Sequence, residues 1–369
     1  MLALVIMFAF GLMLRLAFLP ANTVDMKVFN LKWYDYIFTH GIINSMGDEF
    51  ANYTPPYLYL LSLATLTRSF LAPLTAVKLI PILFDLINAA LVYQIVKTQY
   101  GKSVKPALAA MTFWLLPTIM INSSFWGQAD ALYTCFLLCS VLFLLKDRPL
   151  AAVVSFAIAF SIKAQAFFFV PFLAILCLRK KIPWQYFLLI PPIYVLMMLP
   201  AVWAGRSLAS LLLTYVTQGN TFTSASMNAA NFYFFVGQSG YETSLKVGIP
   251  LAALLLLTWV LVSARKTLSF PRNILVLTAL VSVAFAPFLL PKMHDRYFYP
   301  ADVISLLAAF FIPELWFIPI AYQIISMLSY IPFLFGANLQ GGIPIAVFIN
   351  TAAIGFLLWK QWKPELGKS

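Results

Sequence analysis

Charge is scarce in this 369-residue chain: Lys, Arg, Asp and Glu make up 10% of it, against 62% hydrophobic residues, with two histidines and three cysteines. Each shortage excludes something. So little charge could not cover the apolar remainder in water, and several runs approach or exceed the ~20 apolar residues that cross a bilayer. Cys135, Cys139 and Cys177 all fall inside apolar runs, which argues against disulfides and matches no metal-ligand spacing, so no metal is expected. Phosphate-binding glycine loops are missing as well. There is no GxxxxGK[ST], no GxGxxG and no HExxH, and the one GG pair is Gly341–Gly342, so neither a soluble nucleotide donor nor a cofactor is expected. Residues 1–20 lack the basic start and small-residue cleavage site of a signal peptide and read as a retained first span.

What charge there is has a pattern. The net charge of +12 collects in short tracts between apolar runs: Lys97/Lys102/Lys105, Lys146/Arg148, Arg179/Lys180/Lys181, Arg265/Lys266/Arg272 and Lys360/Lys363/Lys368. This is the positive-inside arrangement, which marks a cytoplasmic face and gives no reason to expect a nucleic acid. With those tracts inside, an all-α polytopic membrane protein of about 12 transmembrane helices results: 1–20, 76–97, 106–125, 128–146, 149–163, 164–178, 183–204, 245–264, 272–290, 298–312, 314–335 and 342–359. Both termini then lie in the cytoplasm. Residues 55–72 would break this count if they crossed, so they are expected to be interfacial or re-entrant within a first outer loop, 21–75. In that loop Phe29, Trp33, Tyr36 and Ile37 recur at helical spacing before Gly41, which predicts an amphipathic helix lying on the membrane and stopped by a glycine.

The opposite face gathers the unusual residues. Eight of the twelve acids fall there: Asp25, Asp35, Asp48, Glu49, Asp130, Glu242, Asp295 and Asp302. Asp25 follows the first span and suits either a helix N-cap or a general base at head-group level. In WGQAD, Trp126 suits an interfacial anchor, while Gln128 and Asp130 suit either caps or a polar site. Asp85 lies inside a span and needs a partner, for which Arg15, Lys78 and Arg68 are the candidates. Lys163, with Gln165 beside it, is an isolated cation suited to snorkelling or to a phosphate. PKMHDRYFYP (291–300) concentrates Lys292, His294, Asp295 and Arg296 in one outer turn, which favours anion binding.

Taken in order, an outer-loop Asp, NYTPPYLYLL, KLIPILFDLINAALVY, NSSFWGQADALY, SIKAQAFFFVP and MHDRYFYP resemble the GT-C superfamily of membrane glycosyltransferases. The branch most resembled contains the glucosyltransferases of N-glycan precursor assembly and prokaryotic relatives. The likeness covers about 1–204 and again 291–300. It implies a polyprenyl-phosphate-sugar donor, a lipid-linked or glycan acceptor and an inverting transfer at the extracytoplasmic face. It further implies Asp25 as catalytic base, His294 and Arg296 at the donor phosphate, and Trp126, Gln128, Asp130, Lys163 and Gln165 as matched motif positions. Lys292 and Tyr53 are expected among the substrate-binding residues. Two departures stand out: Asn52-Tyr53-Thr54-Pro55-Pro56 replaces a DYPP-like string, and His294-Asp295-Arg296 replaces HER. Residues 1–204 are expected to form the catalytic module. Residues 205–369 would form a variable half with outer loop 205–244, whose Asn, Ser, Thr and aromatic residues suit sugar recognition or a plain surface loop. The alternative function is a transporter or lipid flippase, which would call for internal repeats and charges near the bilayer midplane. A prokaryotic plasma membrane is the expected location.

Overall fold

A computed structural model describes residues 2–237, 240–265 and 269–363; Lys266 and Lys368 of the basic tracts lie outside the described residues. The protein is a helical bundle with a two-stranded clasp. Among the described residues, six helices are long and apolar enough to cross a membrane: Pro73–Tyr100, Trp184–Trp203, Tyr241–Ser263, Arg272–Leu289, Pro313–Phe335 and Asn338–Trp362. A seventh crossing is possible through Lys105–Leu115 and Pro117–Trp126, bent by 52° where Pro117 interrupts the helix. At the other five expected spans stand shorter apolar helices, Leu2–Phe18, Asp130–Leu145, Pro149–Ile162, Ala164–Leu178 and Tyr299–Phe311. Length and composition therefore support six or seven crossings of this multi-pass membrane protein, fewer than the twelve expected from hydropathy.

The bundle has a graded interior. Arg272–Leu289 is 72% buried and runs through the core, whereas Trp184–Trp203 and Tyr241–Ser263 are 17% and 22% buried and form its outer wall. The basic turns meet at one end. Arg179 Nη1 donates to the Ser263 and Arg265 carbonyls at 3.0 and 2.7 Å, Arg272 Nη1 to the Thr98 carbonyl at 3.2 Å, and Lys360 pairs with Glu314 at 2.7 Å.

Inside the bundle, the partner of Asp85 is Arg15. The guanidinium donates to Asp85 Oδ2 from Nη2 and Nε at 3.0 and 3.3 Å, while Ser123 Oγ donates to the same oxygen at 2.6 Å. Arg15 also lies 3.5 Å over the Trp114 ring, and neither ion has any exposed surface. Lys78 is otherwise engaged: its ammonium donates to the carbonyls of Phe18, Leu19 and Ala21, the open C-terminal end of Leu2–Phe18.

The first loop is more deeply built in than its amphipathic pattern predicts. Its helix is continuous from Val24 through the π-helical turn Met26–Asn30 to Leu31–His40, and it stops at Gly41 in the left-handed region (φ 83°). However, Trp33, Tyr34 and Ile37 are buried against the Pro55–Thr65 helix and its neighbours. Protein, instead of lipid, covers that stripe; Val24, Val28, Phe38, Ile42 and Ile43 are the large apolar residues of 24–43 left exposed. The region 55–72 forms a short helix, Pro55–Thr65, followed by turns, and Arg68 pairs with Asp35 at 2.8 Å.

Candidate functional site

Asp25 sits where the chain leaves the first helix. Its own backbone is already helical (φ −59°, ψ −40°) and its carboxylate caps nothing. Instead Oδ2 accepts hydrogen bonds from Gln128 Nε2 at 2.7 Å and Trp126 Nε1 at 3.0 Å. Those two donors are presented by the bent end of the Pro117–Trp126 segment, where Ile121–Trp126 widens into a π-helix, a distortion common at functional sites. Gly127 makes the following turn possible. Its φ is +78°, and a Cβ there would fall 2.2 Å from Met26 Cε. Trp126 is fully buried, with Phe333 and Tyr330 ring centroids 5.1 and 5.3 Å away, so the interfacial-anchor reading fails.

Asp130 also caps nothing. Buried completely, it takes the Lys163 ammonium at 2.5 Å on Oδ1 and the Asn122 amide at 3.0 Å on Oδ2. Lys163 stands in an extended break (φ −154°, ψ 133°) between Pro149–Ile162 and the 3-10 turn Ala164–Phe169. It is 3% exposed, which rules out snorkelling, and Gln165 beside it keeps a buried Oε1 with no hydrogen-bond partner.

The turn at 291–300 is clasped from the other side. Strand β1 (Ser226–Met227) pairs in parallel with β2 (Met293–His294), and the amides of Lys292 and Asp295 donate to the carbonyls of Ala225 and Met227. Lys292 adopts φ 65°, and its ammonium is taken by the Gly219 carbonyl at 2.6 Å and the Tyr241 hydroxyl at 2.8 Å. It therefore borders an adjoining groove and not the central cavity.

Arg296 is the hub. Its nitrogens lie 3.6 Å from Asp295, 3.7 Å from Asp130 and 3.8 Å from Asp25, while the guanidinium stands 5.3 Å over the Trp126 ring. All three separations are too long for direct hydrogen bonds, and Arg296 Nε and Asp295 Oδ1 are buried with none. Burial alone lowers the arginine pKa, but Asp25, Tyr53, Asp295 and Asp130 outweigh it and raise the value, so the cation is permanent. Burial pushes Asp295 up to about 7, with Arg296 opposing and Asp25 and Asp130 reinforcing. His294 is driven well below its ordinary value by burial, then by Arg296 and Lys163. At neutral pH it is therefore a neutral hydrogen-bonding imidazole, not the third cation that the sequence allows.

Asp25, Tyr53, Gln128, Lys163, Gln165, His294 and Arg296 line one cavity of about 350 Å³, with Asp295 also in its wall. Trp126 and Asp130 stand behind that wall. Asn30, Asn52, Gln218, Phe222, Asn228 and Phe333 are also among the cavity's lining residues; sequence reasoning noted Asn52 only as a departure from the DYPP-like string and singled out none of the others. The polar character of loop 205–244 hinted at Gln218 and Asn228. Among the described residues no three His, Cys, Asp or Glu side chains converge as a metal-binding group.

Comparison with known proteins gives a partial likeness. No known family profile matches the sequence. Over 151 residues, 40% of this chain, it is 26% identical to GPI mannosyltransferase 1 of Kluyveromyces lactis, and the matched stretch spans 37% of that relative's length.

Proposed function

We propose that this protein is an inverting membrane glycosyltransferase that moves a hexose from a polyprenyl-phosphate carrier to an acceptor hydroxyl, with Asp25 as general base. The observation that carries the reading is Asp25 and Arg296 side by side, 3.8 Å apart, in the wall of one cavity that Lys163 and His294 also line. The partial likeness to a mannosyltransferase lends independent support and makes mannose the first sugar to try.

The chemistry balances with these groups alone. Asp25 takes the acceptor O–H proton as that oxygen attacks the anomeric carbon, and the carbon–oxygen bond to the phosphate breaks, its electron pair leaving with the phosphate. Lipid phosphate is a good leaving group, so no general acid is required. Arg296 and Lys163 supply fixed positive charge where negative charge grows, an effect worth about 3–4 kcal/mol per well-placed donor. Trp126 and Gln128 hold one carboxylate oxygen of Asp25 and leave Oδ1 without a hydrogen bond among the described residues. In this reading residues 1–204 form the catalytic module, residues 205–369 return the phosphate-binding turn, and the cavity opens at the extracytoplasmic face. With the five shorter apolar helices inserted alongside the longer ones, the chain would make twelve crossings.

The test uses purified protein in nanodiscs with a panel of polyprenyl-phosphate hexoses, following donor consumption and product mass. The native chain is expected to consume one donor. Asp25→Asn should bind that donor yet turn over about 10²- to 10⁴-fold more slowly. Equal turnover by both proteins would remove Asp25 from the reaction. A folded native chain that consumes none of the donors would favour a transporter, which a lipid-translocation assay would reveal.

A further inference from the structure

The cavity beside Asp25 opens in two directions of different chemistry. Toward the Lys292 side it joins a groove walled by Phe160, Phe167, Phe168 and Phe222. On the first-loop side it shares Val28, Phe29, Trp33 and Asn52 with a second, open shelf that continues to Tyr36 and Phe50, with Lys32 at its margin. The shelf is a run of aromatic rings: Tyr36 is stacked on by both His40 (4.0 Å) and Phe50, so Phe29, Trp33 and the outer face of Phe50 are the rings it offers a ligand. Phe29 and Trp33 centroids lie 5.7 Å apart, and Phe50 stacks on Tyr36 at 4.6 Å with planes only 13° apart. At the junction Asn52 keeps a buried Oδ1 with no hydrogen-bond partner, although it lines both spaces.

From this division of chemistry we infer that the Tyr36–Phe50 shelf is the acceptor subsite and that the acceptor is a saccharide. The inference rests on the glycosyltransferase reading above. A pyranose ring offers a face of C–H groups polarised by neighbouring oxygens, which matches the negative face of an aromatic ring. Its hydroxyls need isolated, directional partners at the rim, and Lys32 and Asn52 are of that kind. Strand addition of a peptide would require a row of unpaired backbone groups, and this shelf is formed by side chains of a helix and the loop after it; the peptide acceptor below tests the other modes. The two exits thus separate the substrates, with the apolar groove suited to a hydrocarbon carrier and the ring-lined shelf to a sugar. An acceptor hydroxyl entering past Asn52 arrives beside Asp25.

The experiment compares native protein with Phe50→Ala and Phe50→Trp, since Phe50 borders the shelf and not the cavity. Polyprenyl-phosphate mannose is the donor; the acceptors are free methyl glycosides, the same sugars on a lipid, and a Ser/Thr peptide. Phe50→Ala should raise the saccharide KM about tenfold, the equivalent of ~1.4 kcal/mol, while acceptor-independent donor hydrolysis stays at the native rate, and Phe50→Trp should restore affinity. A lower KM for the lipid form than for the free glycoside would assign part of the affinity to the carrier, and equal values would leave it all to the sugar; the Phe50→Ala loss is required in both. An unchanged KM in Phe50→Ala, or preference for the peptide, overturns the inference. If the native protein processes no donor, the glycosyltransferase reading fails separately. The shelf is still judged by saccharide quenching of the indole that Phe50→Trp introduces, and absence of quenching rejects it.

Discussion

Lys163 and Asp130 meet at 2.5 Å with almost no exposed surface between them. A buried pair of this kind is costly to break from one side, because the remaining charge keeps its desolvation without its partner. Lys163→Ala should therefore destabilise the fold by about 3 kcal/mol, the lower end of the usual range, since Arg296 remains 3.7 Å from Asp130. Thermal unfolding in detergent would measure this, and Lys163→Met/Asp130→Leu should recover most of the loss.

Arg296 spans three carboxylates with a planar, multi-donor group that a lysine ammonium cannot reproduce. Both Arg296→Ala and Arg296→Lys should lower kcat/KM for donor consumption by roughly 10²- to 10³-fold, the Lys variant slightly less. Full activity in Arg296→Lys would show that only a point charge is needed.

Asp295 sets a pH dependence whose sign is fixed. A carboxyl raised to about 7 in the fold binds its proton more tightly there than in the unfolded chain. The fold is thus favoured as pH falls from about 7 toward 4 and loses that contribution as pH climbs through 7. For an anionic donor the sign is the same: ionised Asp295 repels it. Donor Kd should be lower at pH 6 than at pH 8, and Asp295→Asn should flatten the difference. A titration at three pH values decides the matter.

Arg15 and Asp85 form a second buried pair, at 3.0 Å, with Asp85 Oδ1 left without a partner. Arg15→Met should cost about 3–5 kcal/mol, and Arg15→Met/Asp85→Leu much less. Because Ser123 of the π-helical turn binds Asp85, the single variant should also weaken donor turnover, through displacement of Trp126 and Gln128.

Much of this architecture was legible in the sequence. Apolar runs and basic tracts located the helices, the spacing of Phe29, Trp33 and Ile37 located the first-loop helix, and the six ordered motifs pointed to Asp25, Lys163 and Arg296. Helical periodicity reports that a stripe is apolar, but it does not report whether lipid or protein covers it, so the burial of Trp33 and Ile37 was not readable. Hydropathy likewise finds an apolar run without its helical length, and the span count differs for that reason. The β1–β2 clasp was invisible because two-residue strands carry no period. Without it the capture of Lys292 by Gly219 and Tyr241 could not be foreseen, and the polar loop 205–244 hinted at Gln218 and Asn228 without placing them at the cavity.

The clasp also fixes when the site can exist. Chains are synthesised at about 5–20 residues per second and fold from the N-terminus onward, so Asp25, the Trp126–Asp130 turn and Lys163 are made long before Met293 and His294 reach β1. Until then the early carboxylates lack Arg296: Asp25 has Trp126 and Gln128 as its partners, and Asp130 has Lys163 and Asn122. In the proposed reaction, insertion and folding of the first half would thus precede any transfer, and a chain stopped before residue 296 would lack Arg296 altogether.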